Sequence, residues 1–254
     1  MDTILFHNCA LELLGTFIMI LIGDGVVACV SLNKSKGQGA GWITITIAWG
    51  LAVMCGVFIA HDSGAHLNPA VSIGLALAGM FKWGYVIPYI IAQLFGAFLA
   101  AITVYLFYKD HFDITEDKMT KLTIFCTMPA ITGHQKRNLF CEIMGTFVLL
   151  LLIIAIAQNN YPVSAGNAPM NLGGIGAFPV SYVIIAIGMS LGGTTGYAIN
   201  PARDLGPRIA HAFLPIKEKG SSGWNYSWVP IVGPIAGASL AAFIGFIFNL
   251  CSFL

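Results

Sequence analysis

Charge is what this chain of 254 residues has least of: only 9% are Asp, Glu, Lys or Arg, against roughly 25% in an ordinary soluble domain. With 57% hydrophobic residues and a mean hydropathy of +0.82, a water-soluble globule is excluded. Lys and Arg number 12 against 11 Asp and Glu, leaving a net charge of +1. No basic stripe remains to neutralise a phosphate backbone, which argues against nucleic acid as a partner. The six cysteines (Cys9, Cys29, Cys55, Cys126, Cys141 and Cys251) include no C-x-x-C pair, and five lie in or beside apolar runs. They read as small apolar fillers, with no disulfide framework and no zinc site. Nucleophile and base pairs, phosphate loops and dinucleotide fingerprints are also missing. No enzymatic activity, metal or cofactor is therefore expected. The opening residues MDTILFHN carry neither Lys nor Arg, and the apolar run after them is too long for a cleavable signal.

What the chain does have is long apolar runs. A spanning helix needs about 20 mostly apolar residues, and six stretches qualify: about 9–31, 42–60, 85–107, 139–157, 176–194 and 227–253. The most charged segment, 108–137, holds Lys109, Asp110, Asp113, Glu116, Asp117, Lys118, Lys121, Lys136 and Arg137. It is expected to be a solvated connecting loop at the midpoint of a single domain covering 1–254.

The two halves, 1–115 and 136–254, repeat each other. Leu11-Glu12-Leu13-Leu14-Gly15-Thr16-Phe17 recurs as Cys141-Glu142-Ile143-Met144-Gly145-Thr146-Phe147. Ser63-Gly64-Ala65-His66-Leu67-Asn68-Pro69-Ala70 recurs as Thr195-Gly196-Tyr197-Ala198-Ile199-Asn200-Pro201-Ala202, and Gly96-Ala97 is answered by Gly237-Ala238. Three spans per copy force the second copy to enter the membrane from the opposite side. The expected architecture is an all-α inverted repeat, which commonly places a site near the membrane midplane.

Each Asn-Pro-Ala opens a short apolar segment, 69–80 and 201–212. As a helix rising 1.5 Å per residue, each covers roughly half of a ~30 Å hydrocarbon core. Asn is a favoured N-cap and Pro a favoured first helical residue, so both motifs read as helix starts. The non-helical backbone ahead of them is tolerable at membrane depth only inside protein or beside a water-filled cavity. In an inverted repeat the two half-helices meet N-terminus to N-terminus, with two partial positive ends and the amides of Asn68 and Asn200 facing one spot. Such a spot repels cations and hydrogen-bonds neutral hydroxyls.

At these residues the chain resembles the aquaporin superfamily of major intrinsic proteins, from about Glu12 to Leu250. The continuation Asn200-Pro201-Ala202-Arg203-Asp204-Leu205-Gly206-Pro207-Arg208, together with Pro230-Ile231, resembles its glycerol-facilitator branch. Water-selective members usually carry a small residue at the position of Asp204. The resemblance implies six spanning helices plus two re-entrant half-helices, a homotetramer with one pore per subunit and both termini cytoplasmic; the lack of an export signal or long tails suggests a prokaryotic plasma membrane. It implies passage of glycerol and other small uncharged solutes, with water, down their gradient. It further implies a filter of Trp49, Gly188, Tyr197 and Arg203, and pore-lining carbonyls of Gly64, Ala65, His66, Gly196, Tyr197 and Ala198. One bacterial member of that branch has Phe where Tyr197 stands, so by that resemblance the aromatic wall here gains a hydroxyl. Arg203 offers a fork of donors for neighbouring hydroxyls, Trp49 and Tyr197 offer apolar faces for the carbon skeleton, and Gly188 leaves room.

Glu12 and Glu142 are intramembrane carboxylates present in both copies. The structural reading makes them acceptors for the backbone of the non-helical loops; the transporter reading makes them proton sites. Asp24 has Ile154 at its matching position and reads as a satisfied buried carboxylate or as a ligand for an ion or a polar neighbour. Asp204 is expected to order the outer loop and the helix start without touching solute, and His66 to line the inner vestibule. The pairs Gly233-x-x-x-Gly237 and Gly96-x-x-x-Ala100 allow close helix contact. A water-selective channel and a proton-coupled transporter built on Glu12, Glu142 and Asp24 are the alternative functions. With the termini inside, Lys34, Lys36, Lys109, Lys118, Lys121, Lys136, Arg137, Lys217 and Lys219 fall outside and Lys82 stands almost alone inside, the reverse of the positive-inside rule.

Overall fold

A computed structural model describes residues 3–158 and 176–250. These fold into ten α-helices, with no strand among them. The long helices are α1 (Thr3–Ser31), α2 (Gly41–Ala60) and α4 (Trp83–Phe107) before the midpoint and α7 (Gln135–Gln158) after it. The last is α10 (Val229–Ile247). These five are long and apolar enough to cross a membrane. The fifth expected span appears as the shorter α8 (Ala177–Leu191), whose 15 residues cover about 22 Å as a helix. The end of the last expected span, 251–253, lies outside the described residues.

The half-helices form where the Asn-Pro-Ala motifs put them, as α3 (Pro69–Leu77) and α9 (Pro201–Phe213). Both begin at Pro, and in both the preceding Asn is extended and turns its side-chain oxygen back onto the first helical turn. That cap supplies acceptors to amides that otherwise lack them at a helix start.

The packing exchanges parts between the halves. α1 lies against α2 and α4, and α7 against α10, whereas α9 lies against α4 of the first half and α3 against α10 of the second. Small residues make the long contacts possible. A Cβ on Gly96 would sit 2.3 Å from the carbonyl oxygen of Leu13, and one on Gly237 would sit 2.2 Å from that of Ile143. Larger apolar side chains such as Ile87, Ile91, Phe95 and Phe243 point outward and are exposed. This is the arrangement expected where lipid, not water, is the solvent.

The connecting segment departs from the expected solvated loop. Two short helices, α5 (Lys109–Ile114) and α6 (Lys118–Phe125), occupy it. Phe112, Ile124 and Phe125 are fully buried in a cluster with Val27, Val104 and Tyr105. Lys121, expected to be solvated, is buried and donates from Nζ to the Lys217 carbonyl at 2.6 Å. Four apolar residues spaced at 112, 122, 124 and 125 outweigh the charges around them, because each removes its surface from water or headgroups on folding.

Candidate pore and selectivity filter

The site begins with backbone in an unfavourable conformation. Ala65, Leu67, Tyr197 and Ile199 all have positive φ, at 49°, 52°, 39° and 44°. Side chains rarely tolerate this region, and each such residue costs on the order of 1–3 kcal/mol unless its surroundings hold it. The two buried glutamates hold it. Glu12 accepts from the N–H groups of His66 and Leu67 at 2.8 and 2.7 Å and from Ser63 Oγ at 2.7 Å. Glu142 accepts from the N–H groups of Ala198 and Ile199 at 3.0 and 2.9 Å and from Thr195 Oγ1 at 2.6 Å. One carboxylate per loop thus satisfies amides that neither helix nor sheet can reach. Gln93 Nε2 adds a donor to Glu12 at 2.8 Å. Sequence reasoning missed Gln93, although a lone amide within an apolar span is itself a signal.

The two loops then lock together. Asn68 Nδ2 donates to the Ile199 carbonyl and Asn200 Nδ2 to the Leu67 carbonyl, each at 2.8 Å. Their side-chain oxygens accept from Ala70 N–H on one side and from Ala202 and Arg203 N–H on the other. Each amide therefore has one N–H committed across the junction and one remaining for the lumen. Pro69, Ala70, Pro201 and Ala202 are buried behind it.

A narrow internal cavity of about 60 Å³ passes this junction. Its walls include Ala65, His66, Leu67, Asn68 and Val71 from one half and Tyr197, Ala198, Ile199, Asn200 and Arg203 from the other. A single water needs about 10–15 Å³ by this measure, so the space suits a short file of small groups. A wider cavity of about 260 Å³ lies beyond, lined by residues that include Trp42, Thr127, Met128 and Gly196. Trp49, Tyr197 and Arg203 line both. Gly64, expected among the carbonyl-bearing wall, is not among the residues lining these two cavities. The wall also gains Leu67 and Ile199, whose positive φ the sequence does not spell out.

At the shared residues the Arg203 guanidinium carbon stands 4.3 Å from the Trp49 ring centre. Arg203 is 7% exposed, so the cation is largely withdrawn from solvent while one face meets aromatic π density. Tyr197 closes another side, and no described residue bonds to its hydroxyl. Gly188 faces this ring: a Cβ there would lie 2.8 Å from Tyr197 Cζ and 2.9 Å from Thr46 Cγ2. Its missing side chain is what seats Tyr197. Trp42, which sequence reasoning did not single out, packs edge-on against Tyr197 with centroids 5.7 Å apart and donates from Nε1 to the Gly188 carbonyl at 3.0 Å. Those partners lie 146 and 155 residues away in sequence, beyond any local pattern.

Further along α9 sits a fully buried clamp. Asp204 Oδ2 accepts from the N–H and the hydroxyl of Thr127, both at 2.8 Å, and Oδ1 pairs with Arg208 Nη2 at 2.8 Å. Arg208 also donates to the carbonyls of Ser222, Gly223 and Thr127. Asp204 lines neither cavity; with Arg208 it ties α9 to the connection at Thr127 and to the one at Ser222 and Gly223. His66 lines the inner passage and bonds through Nδ1 to Ser72 Oγ at 3.0 Å.

Comparison with known proteins agrees with this architecture. The model of the family described as "Major intrinsic protein" matches residues 3–245. Glycerol uptake facilitator protein 3 of Lactiplantibacillus plantarum is 53% identical over 92% of this chain and 93% of its own. The glycerol uptake facilitator protein of Streptococcus pneumoniae R6 is 50% identical over 92% and 95%. Among solved structures, the aquaglyceroporin from Plasmodium falciparum superposes with a TM-score of 0.82 at 30% identity, covering 95% of both chains. The chain therefore belongs to the major intrinsic protein family, as an all-α membrane protein of the aquaporin fold.

Proposed function

We propose that the protein is a passive channel for glycerol and other small uncharged polyols, with water passing the same route. The observation that carries this reading is that Trp49, Tyr197 and Arg203 are the residues common to the inner passage and the outer cavity. Any solute moving between the two must pass a guanidinium fork beside two aromatic faces. A polyol has a hydroxyl edge for the fork and a carbon edge for the rings. The names of the relatives at 50–53% identity support the same substrate class. In this reading Trp49, Gly188, Tyr197 and Arg203 form the filter, and Asn68 and Asn200 the central constriction. The carbonyls of Ala65, His66, Tyr197 and Ala198 accept from passing hydroxyls. Alternating donors and acceptors replace the solvent shell without deep binding, as conduction requires.

The repeat boundaries 1–115 and 136–254, a homotetramer with one pore per subunit, and a plasma-membrane location with cytoplasmic termini complete the proposal. The lysines that this orientation places outside run against the positive-inside rule, and several of them serve structure. Lys219 donates to the carbonyls of His211, Ala212 and Leu214 at the end of α9, Lys121 holds the Lys217 carbonyl, and Lys109 pairs with Asp113. The function is tested with purified protein in sealed vesicles, by light scattering after osmotic jumps with an impermeant solute and with glycerol. Glycerol re-swelling far faster than in empty vesicles, without any ion gradient, is expected. Fast water flow with background glycerol entry would mean a water channel, and background flux of both would favour coupled transport.

A further inference from the structure

Two side chains break the internal repeat and meet. Arg203 stands where the first half has Val71, and Asp24 stands where the second half has Ile154. Asp24 Oδ1 lies 3.9 Å from Arg203 Nη1. Asp24 is 0% exposed in the middle of α1's outer portion, and neither of its oxygens has a hydrogen-bond partner among the described residues; nor does Arg203 Nη1. A carboxylate so buried is tolerated only beside an opposite charge, because its desolvation is otherwise uncompensated by several kcal/mol. The neighbouring turn of α1 also seats the other wall of the filter: a Cβ on Gly23 would lie 2.4 Å from the Trp49 ring. The segment Gly23-Asp24 therefore meets both partners of the Trp49–Arg203 stack.

We propose that Asp24 is a positioning residue for the filter, holding the Arg203 guanidinium against Trp49 by its charge and so setting the largest polyol that passes. The proposal rests on the reading of Trp49, Tyr197 and Arg203 as the constriction. One corner of the fork faces Asp24, and the remaining N–H groups are left for solute hydroxyls. Without the carboxylate the guanidinium loses its fixed direction, and the aperture widens on thermal average.

The test compares glycerol with the four-carbon polyol erythritol in sealed vesicles carrying wild-type protein, Asp24→Ala, Asp24→Asn, Arg203→Ala and the Asp24→Ala/Arg203→Ala pair. Asp24→Ala is expected to raise the erythritol-to-glycerol permeability ratio about threefold or more, at the low end of couplings between contacting residues. Asp24→Asn, which keeps the shape and removes the charge, shifts the ratio in the same direction. In the Arg203→Ala background, Asp24→Ala adds nothing, which a merely structural role would not produce. An unchanged ratio in folded Asp24→Ala overturns the proposal, as does an equal shift with and without Arg203. Should the alanine variant fail to fold, an unchanged ratio in Asp24→Asn overturns it alone. Wild-type vesicles with background glycerol entry would instead sink the channel reading, independently of any Asp24 variant.

Discussion

The two half-helices start alike and diverge within one turn. After Asn-Pro-Ala, α3 continues with Val71, Ser72 and Ala76 where α9 has Arg203, Asp204 and Arg208. In α3 the polar side chain at this point, Ser72, makes neutral hydrogen bonds to the Asn68 carbonyl and to His66 and accepts from Gln93 Nε2 on α4. In α9 the same positions hold a guanidinium at the junction of two cavities and a buried ion pair reaching two connections. The duplicated parts, two glutamates and two capped asparagines, build the loops and their junction. In the proposed reading selectivity falls to the residues that broke the duplication, since a symmetric pore would present the same apolar Val on both sides.

The largest effect is expected from undoing the clamp that only α9 has. Asp204→Ala leaves Arg208 buried without its counter-charge, which typically costs about 3–5 kcal/mol. Recovery of monodisperse protein should fall sharply, whereas the matched Ser72→Ala loses only neutral hydrogen bonds, to Asn68, His66 and Gln93, each worth about 1 kcal/mol. Equal thermal midpoints in detergent for the two variants would remove the asymmetry. Next, Arg203→Ala makes the second half resemble the first. It should raise proton leak by about tenfold, equivalent to roughly 1.4 kcal/mol of barrier, and admit larger polyols; a pH-sensitive dye trapped in vesicles reads the leak. Gly188→Phe sharpens the comparison from the other wall, because the new ring competes with Tyr197 for one space. Glycerol flux should fall several times more than water flux, and equal losses would take Gly188 away from the constriction.

The smallest effect lies outside the repeat, in α6. Asp117 caps that helix, accepting from the Thr120 hydroxyl and the N–H groups of Thr120 and Met119. The Thr120 hydroxyl and amide hold its carboxyl below the usual range. A folded-state pKa below the unfolded value near 3.9 means that this stability is present at neutral pH and is lost as pH falls through the lowered value. Asp117→Ala should cost about 1 kcal/mol at neutral pH, with the difference from wild type shrinking in melts taken below about pH 4. A difference that stays constant across that range would assign the loss to helix propensity.

Much of the site was legible because its residues act near themselves in the chain. Asn68 and Asn200 cap helices that begin at the next residue, and the intramembrane Glu12 and Glu142 announced their need for donors by being charged in an apolar run. Gln93, Trp42 and Arg208 were less legible for the opposite reason. Gln93 finds Glu12 across 81 residues and Trp42 finds the Gly188 carbonyl across 146, so neither pairing leaves a periodicity to read. The connector failed differently: its charges suggested solvent, yet Phe112 and Phe125 had a buried cluster waiting on α1 and α4.

The sequence by itself determined the membrane as solvent, the duplication, the helix starts at both Asn-Pro-Ala motifs and the departures at Asp24, Arg203 and Asp204. These follow from hydropathy, capping chemistry and repetition, which are local properties. Only the tertiary structure decided that α3 and α9 pack against the opposite halves and that Asp24 faces Arg203. It also decided that Tyr197 fills the space over Gly188. Each of these depends on how closely helices approach, and that distance is fixed by small residues such as Gly96 and Gly237 acting on backbone far away in the chain.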